Sequence, residues 1–388
     1  MTDENATSPL HAEMTGWRRH LHQFPEFGFE EVKTAAFVAH KLRSFGIEDV
    51  TEGVGGTGVV ATIRAGAGNR AISFRADMDA LRIEEAGDPP YRSQNPGVMH
   101  ACGHDGHTTM LLGAAKALSE SRDFNGVIHL IFQPAEEWGK GMLAMLDDGL
   151  LDRFPHEEAY GVHNMPGLPV GRFETRAGGF MGDEDNFEIR VKGSGGHASR
   201  PHEMNDAIVA ASAIVMNLQS IVSRQVDPSQ LAVVSVTEFL TDGTRNAIAG
   251  AARLLGDCRS FDPAVSQRIE SVMRRVAAGV GAAHGCEVDV DYSREFIPVI
   301  NDVNMTGHAV QAALSIASSA DHVNENAAPI GASEDFARLL AHVPGNYMMI
   351  GNGDSAALHN AGYDFNDAAL PFGVEYFTAL ARYRLPCE

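Results

Sequence analysis

Four short apolar runs punctuate the chain: AISF from residue 71, VIHLIF from 127, AYGV from 159 and YMMI from 347. Each gives way to a loop, and runs so short and so uniformly apolar predict strands buried on both faces. Helical patterns lie between the first three, which predicts a mostly parallel α/β sheet. Ahead of them, Trp17, His20, Leu21 and Phe24, then Phe37, Val38 and Leu42, recur at helical intervals between residues 10 and 45. Pro25 and a nearby glycine predict a break there between two helices.

From residue 183 to residue 296 the rhythm changes. Strand NFEIRVKG, a helix over 203–224, strands QLAVVSVTEFL and AARLLGDCRSF, a helix over 263–283 and strand CEVDVDYSREF follow one another. That β-α-β-β-α-β order is the ferredoxin-like arrangement. The chain therefore reads as an α/β domain of residues 1–182 and 297–388, interrupted by an inserted α+β domain of residues 183–296.

A length of 388 residues suits two cores. The formal charge of -21 excludes nucleic acid or an anionic membrane as a partner held through a broad basic surface. The opening MTDENATSPLHAEMTGW lacks the charged and apolar regions of a signal peptide, and no stretch reads as a membrane span, so the expected compartment is the cytoplasm. Four cysteines, Cys102, Cys258, Cys286 and Cys387, are too sparse for a disulfide framework. A special cysteine here is a ligand or a nucleophile.

The polar motifs fall after the apolar runs, where the strands of such a sheet present ligand-binding loops. RADMD (75–79) follows the first, QPAEE (133–137) the second and HN (163–164) the third, and LHN (358–360) comes after the fourth. The densest chemistry is MHACGHDGH from Met99, which sets one thiol, three imidazoles (His100, His104, His107) and a carboxylate within nine residues. Thiol, imidazole and carboxylate are the donors of zinc and related divalent metals, and a C-x-H spacing lets alternate side chains of a loop face one ion. The bland reading is a helix start capped by Asp105. Glu136 and Glu137 could be a solvated pair at a helix start, or could divide the labour of metal ligand and general base. His163 and His359 add two donors, enough for a set of five around two ions.

Together, RADMDAL, MHACGHDGH, FQPAEE, GVHNMPGLPVG, GSGGHASRPH, ASEDF near residue 332, and LHN followed by YDFND occur in one order across nearly the whole chain. This series resembles the metal-dependent amidohydrolase and peptidase family of aminoacylases, hippurate hydrolases and carboxypeptidase G, in its hippurate and auxin-conjugate hydrolase branch. The resemblance implies an amidohydrolase of N-acyl amino acids that holds two divalent ions (Zn, Mn, Co or Ni). It implies ligands Cys102, His104, Glu137, His163 and His359, with Glu136 as catalytic base and Asp79 orienting a ligand. It implies His197 on the scissile carbonyl or its oxyanion, Asn246 and Arg259 on the substrate, and a homodimer through the inserted domain. Asp77 is left open between a role at the site and loop capping.

Several positions depart from that branch. Arg82 and Ala249 stand where proline is usual, Asp257 where threonine is, and Trp138 and Lys140 where small glycines follow PAEE. Three other readings stay open: a dipeptidase or carboxypeptidase of the same family, a cysteine hydrolase built on Cys102, and a metal-binding scaffold without turnover.

Overall fold

The computed structural model describes residues 8–387. They form two compact units. The first runs to Gly178 and takes in Ile300–Ala328 and everything from Asp335 onward; the second comprises Gly179–Val299 and the short segment Pro329–Glu334.

The first unit is built on an eight-stranded sheet in the order Val50–Val54, Gly58–Ala65, Gly126–Gln133, Ala71–Asp77, Glu158–Pro166, Gly345–Gly353, Phe173–Glu174, Val323–Asn324. The four apolar runs of the sequence are its four central strands, and these are mutually parallel. Antiparallel partners flank them on both sides. Ala71–Asp77 and Gly126–Gln133 are buried at every position. Burial on both faces explains why these strands read as unbroken apolar runs rather than as alternations.

Helices Pro9–Gln23, His104–Ser121 and Leu370–Arg384 pack together over this sheet. Val32–Ser44 is a separate helix, so the break at Pro25 is real. His104–Ser121 is buried along most of its length, with Leu111, Leu112, Ala115 and Leu118 in the main core. A helix so enclosed fixes whatever its first turn carries.

In the second unit, the strands run in the order Ala232–Thr241, Ala251–Ser260, Glu184–Lys192, Glu287–Phe296, with every neighbouring pair antiparallel. This is the ferredoxin-like sheet expected of the β-α-β-β-α-β order. Glu184–Lys192 alternates buried and more exposed residues, as a strand covered on one face must. Helices Ala207–Gln225 and Pro263–Ala283 cover that face. Asp206 and Asp262 cap them by accepting backbone N–H bonds of the first turn.

Ala207–Gln225 is long and apolar enough, by length and composition, to cross a membrane. Its Ala210, Ala211, Ile214, Leu218 and Ile221 instead lie in the core of the second unit.

Candidate metal centre

The dense motif folds around a single backbone reversal. Gly103 adopts φ +97° at the start of helix His104–Ser121, and a Cβ there would collide with the amide of Asn164. Only glycine meets both conditions, and it lets Cys102 and His104, on either side of it, contribute donor atoms to one cluster. Cys102 Sγ lies 3.5 Å from Nε2 of His163, whose Nδ1 is engaged with the carbonyl of Asn164 at 2.7 Å. His104 Nδ1 lies 3.2 Å from Asp79, which leaves its Nε2 facing Glu137 at 3.9 Å and Glu136 at 4.0 Å. His359 Nε2 completes the arrangement 3.2 Å from Glu137 Oε1.

Donor atoms of Cys102, His104 and His163 lie within 4.8 Å of one another; so do those of Cys102, Glu137 and His359, and those of His104, Glu136 and Glu137. The structure thus brings together all five residues expected to hold metal, with Glu136 among them. The buried Nε2 of His104 has no hydrogen-bond partner, and Glu137 Oε1, also buried, makes no well-aligned bond. Buried polar atoms normally find partners, so lone pairs converging on one another in this way suit a cation between them.

The electrostatics agree. Burial alone would depress the His104 imidazole, but Asp77, Asp79 and Glu137 raise it to about 10, a measure of how strongly this pocket demands positive charge. Burial holds His163 well below the ordinary histidine value, as a neutral ligand. Burial, then Glu137 and Glu136, push the Cys102 thiol well above its usual range. A thiol so placed is a poor nucleophile, yet it can ligate once positive charge is present. The chosen donors therefore fit borderline divalent ions.

The three imidazoles of the motif divide. His104 joins the donors, whereas His107 is held between Asp77 at 2.6 Å and Asn164 at 2.7 Å. His100 is buried with neither ring nitrogen bonded. Asp105 is no cap: it pairs with the buried His22 at 2.8 Å. Asp77, left open in the sequence, takes Arg75 at 2.7 Å as well as His107. Arg75 also reaches Asp335 at 3.2 Å, whose backbone N–H donates to Glu136 Oε1 at 3.4 Å. Nothing in the sequence pattern singles out Arg75 or Asp335 for this bracing beneath Glu136, although RADMD and ASEDF contain them.

Among the described residues, four that are not glycine have positive φ: Phe29, Arg122, Ala135 and His359. Ala135 directly precedes Glu136, and His359 is itself one of the clustered donors. Such conformations persist only where the surroundings enforce them, and they gather at functional sites.

In the second unit, a two-residue ladder pairs His197 with Ala247, so His197 and Asn246 stand side by side, both exposed. His197 Nδ1 is engaged by Ser199 at 2.8 Å. Arg259 is already committed: Nε to Asp257 at 3.0 Å, one terminal nitrogen to Ser333 at 2.6 Å and the other to Glu184 at 2.8 Å.

The profile of the Peptidase family M20/M25/M40 matches residues 73–383, and the chain belongs to that family of hydrolases. It is 39% identical to the hippurate hydrolase of Campylobacter jejuni, over 96% of each chain. It is 37% identical to an N-acetyl-L-cysteine deacetylase of Bacillus subtilis, over 97% of this chain and 89% of that one. A crystal structure of a Bacillus subtilis protein described as a dinuclear metal binding peptidase of the M20 family superposes with a TM-score of 0.86. That protein is 32% identical, and the match covers 96% of this chain and 97% of the other.

Proposed function

We propose that this chain hydrolyses the amide bond of N-acyl amino acids, of the hippurate or N-acetyl type. The observation that carries the reading is the convergence of Cys102, His104, Glu137, His163 and His359 with Glu136 beside them. These five side chains would hold two divalent ions, which when bound supply Lewis acidity to an amide carbonyl and to water. Glu136 takes the proton of the attacking water and returns it to the amine that leaves, the usual double duty of a carboxylate base. Asp79 fixes the ring of His104. His197 donating to the oxyanion, Asn246 on the substrate and Arg259 on its free carboxylate rest on the sequence resemblance, as does a homodimer through the second unit.

Two readings compete. A dipeptidase is favoured by the relative described as a peptidase, and a peptide is itself an N-acyl amino acid. A cysteine hydrolase is disfavoured by the buried, proton-retaining thiol of Cys102. The test strips the protein with a chelator, restores Zn, Mn, Co or Ni separately, and assays hippurate, N-acetyl amino acids and dipeptides side by side. The reading expects activity lost on stripping and regained with a divalent ion, fastest on an N-acyl amino acid. Full activity in the stripped protein would refute it.

A further inference from the structure

Arg82 and Trp138, two of the departures from the family branch, come together in space. The Trp138 ring packs edge-on against Phe27 with centroids 5.0 Å apart and against Phe29 at 6.3 Å, while the Arg82 guanidinium sits 4.1 Å over the Phe27 ring. Trp138 is 42% exposed and Phe29 36%, so the cluster forms an aromatic rim open to solvent. Its backbone is tied to the candidate site at two points. Phe27 bridges to Ala80, the residue after Asp79, and Trp138 follows Glu137 in one short helical turn.

The same loop is clamped from behind. Gly28 lies so close to Ala135 that an added Cβ would come within 3.1 Å of it, and Glu31 accepts the Ala135 N–H at 2.8 Å. Phe29 and Ala135, each next to one of these contacts or part of it, are both in the left-handed region. Such conformations persist only where the surroundings enforce them, so the turn Glu136–Trp138 that carries Trp138 is set by these contacts.

From these contacts we infer that Trp138, Phe27 and Phe29, with Arg82 stacked behind Phe27, are the acyl-group shelf of the site and select an aromatic acyl group over acetyl. The inference rests on the N-acyl amino acid reading above. The acyl substituent is one bond from the carbonyl that Glu136 must face, and Trp138 is two residues from Glu136. Aromatic faces pair with aromatic rings in edge-on or offset geometry, an attraction that a methyl group does not share. Glycine at position 138, usual in the branch, offers no such surface.

The test compares N-benzoylglycine, N-acetylglycine and N-acetylphenylalanine as substrates of the metal-loaded parent, Trp138→Ala and Trp138→Phe. The ratio of kcat/KM for N-benzoylglycine to that for N-acetylglycine should fall about 10-fold in Trp138→Ala, the scale of one lost aromatic contact with its buried area, and recover in Trp138→Phe. Independently of turnover, benzoate should quench the tryptophan emission of the parent but not of Trp138→Ala, whose remaining tryptophan, Trp17, is buried. An unchanged ratio overturns the shelf. So does a fall confined to N-acetylphenylalanine, which would assign the rim to the amino-acid side chain. A parent that hydrolyses none of the three refutes the functional reading instead, and benzoate quenching then decides the shelf alone.

Discussion

The carboxylate of Asp79 lies 3.2 Å from Nδ1 of His104, both side chains fully buried, while its second oxygen accepts the backbone N–H of Glu137 at 3.1 Å. One carboxylate thus sets the ring of one donor and the backbone of another. Asp79→Asn should keep the fold but lower divalent-ion affinity about 10- to 100-fold, the usual cost of removing a partner that orients a ligand. Competition against a chelator of known affinity measures it. Affinity equal to that of the parent would mean that Asp79 braces the fold and nothing more.

Arg259 is held by Asp257 and Glu184 before any substrate arrives. Asp257 occupies a position where the resembled branch has threonine, so this chain competes with a substrate carboxylate at the very group expected to clasp it. Asp257→Thr should lower KM for substrates with a free carboxylate by about 3- to 10-fold, as expected when one competing partner of a charged pair is removed. The corresponding methyl esters should respond far less. Equal changes for acid and ester would remove Arg259 from carboxylate recognition.

His129 supplies a pH dependence remote from the metal centre. Its Nδ1 meets Thr62 at 3.1 Å and its Nε2 the carbonyl of Pro155 at 3.3 Å, while burial, then the nearby His156 and Arg64, lower it to about 4. The unfolded chain therefore takes up this proton first, near pH 6.5, and the folded state follows only near pH 4. Stability from this group is complete above about pH 6.5 and is lost as pH falls through that window. Between pH 7 and pH 5 the loss should be about 2 kcal/mol. Urea midpoints at the two values should show a shallower decline for His129→Gln than for the parent; identical slopes would contradict the assignment.

The sequence was legible where burial leaves a one-dimensional mark. Strands covered on both faces, such as Ala71–Asp77, must be apolar throughout, and the insert shows its change of rhythm in the alternation of Glu184–Lys192. The donors were legible because thiol, imidazole and carboxylate crowd one loop. Which imidazole does what was not: His100, His104 and His107 look alike in sequence, and their fates depend on the turn at Gly103 and on Asp77, Asp79 and Asn164 arriving from other strands. Arg75 and Asp335 are partners across 260 residues of chain, and no local pattern encodes that contact. Arg82 and Trp138 likewise read as two separate departures until Phe27 joined them.

The proposed division of labour, Glu136 as base and Glu137 as ligand, is tested by Glu136→Gln. Metal content by elemental analysis and turnover of an N-acyl amino acid are measured on the same preparation. Occupancy should match that of the parent while turnover falls at least ~100-fold, the scale of a lost general base. Loss of the bound ions together with activity would show that Glu136 is a ligand, and retention of both would show that the base lies elsewhere.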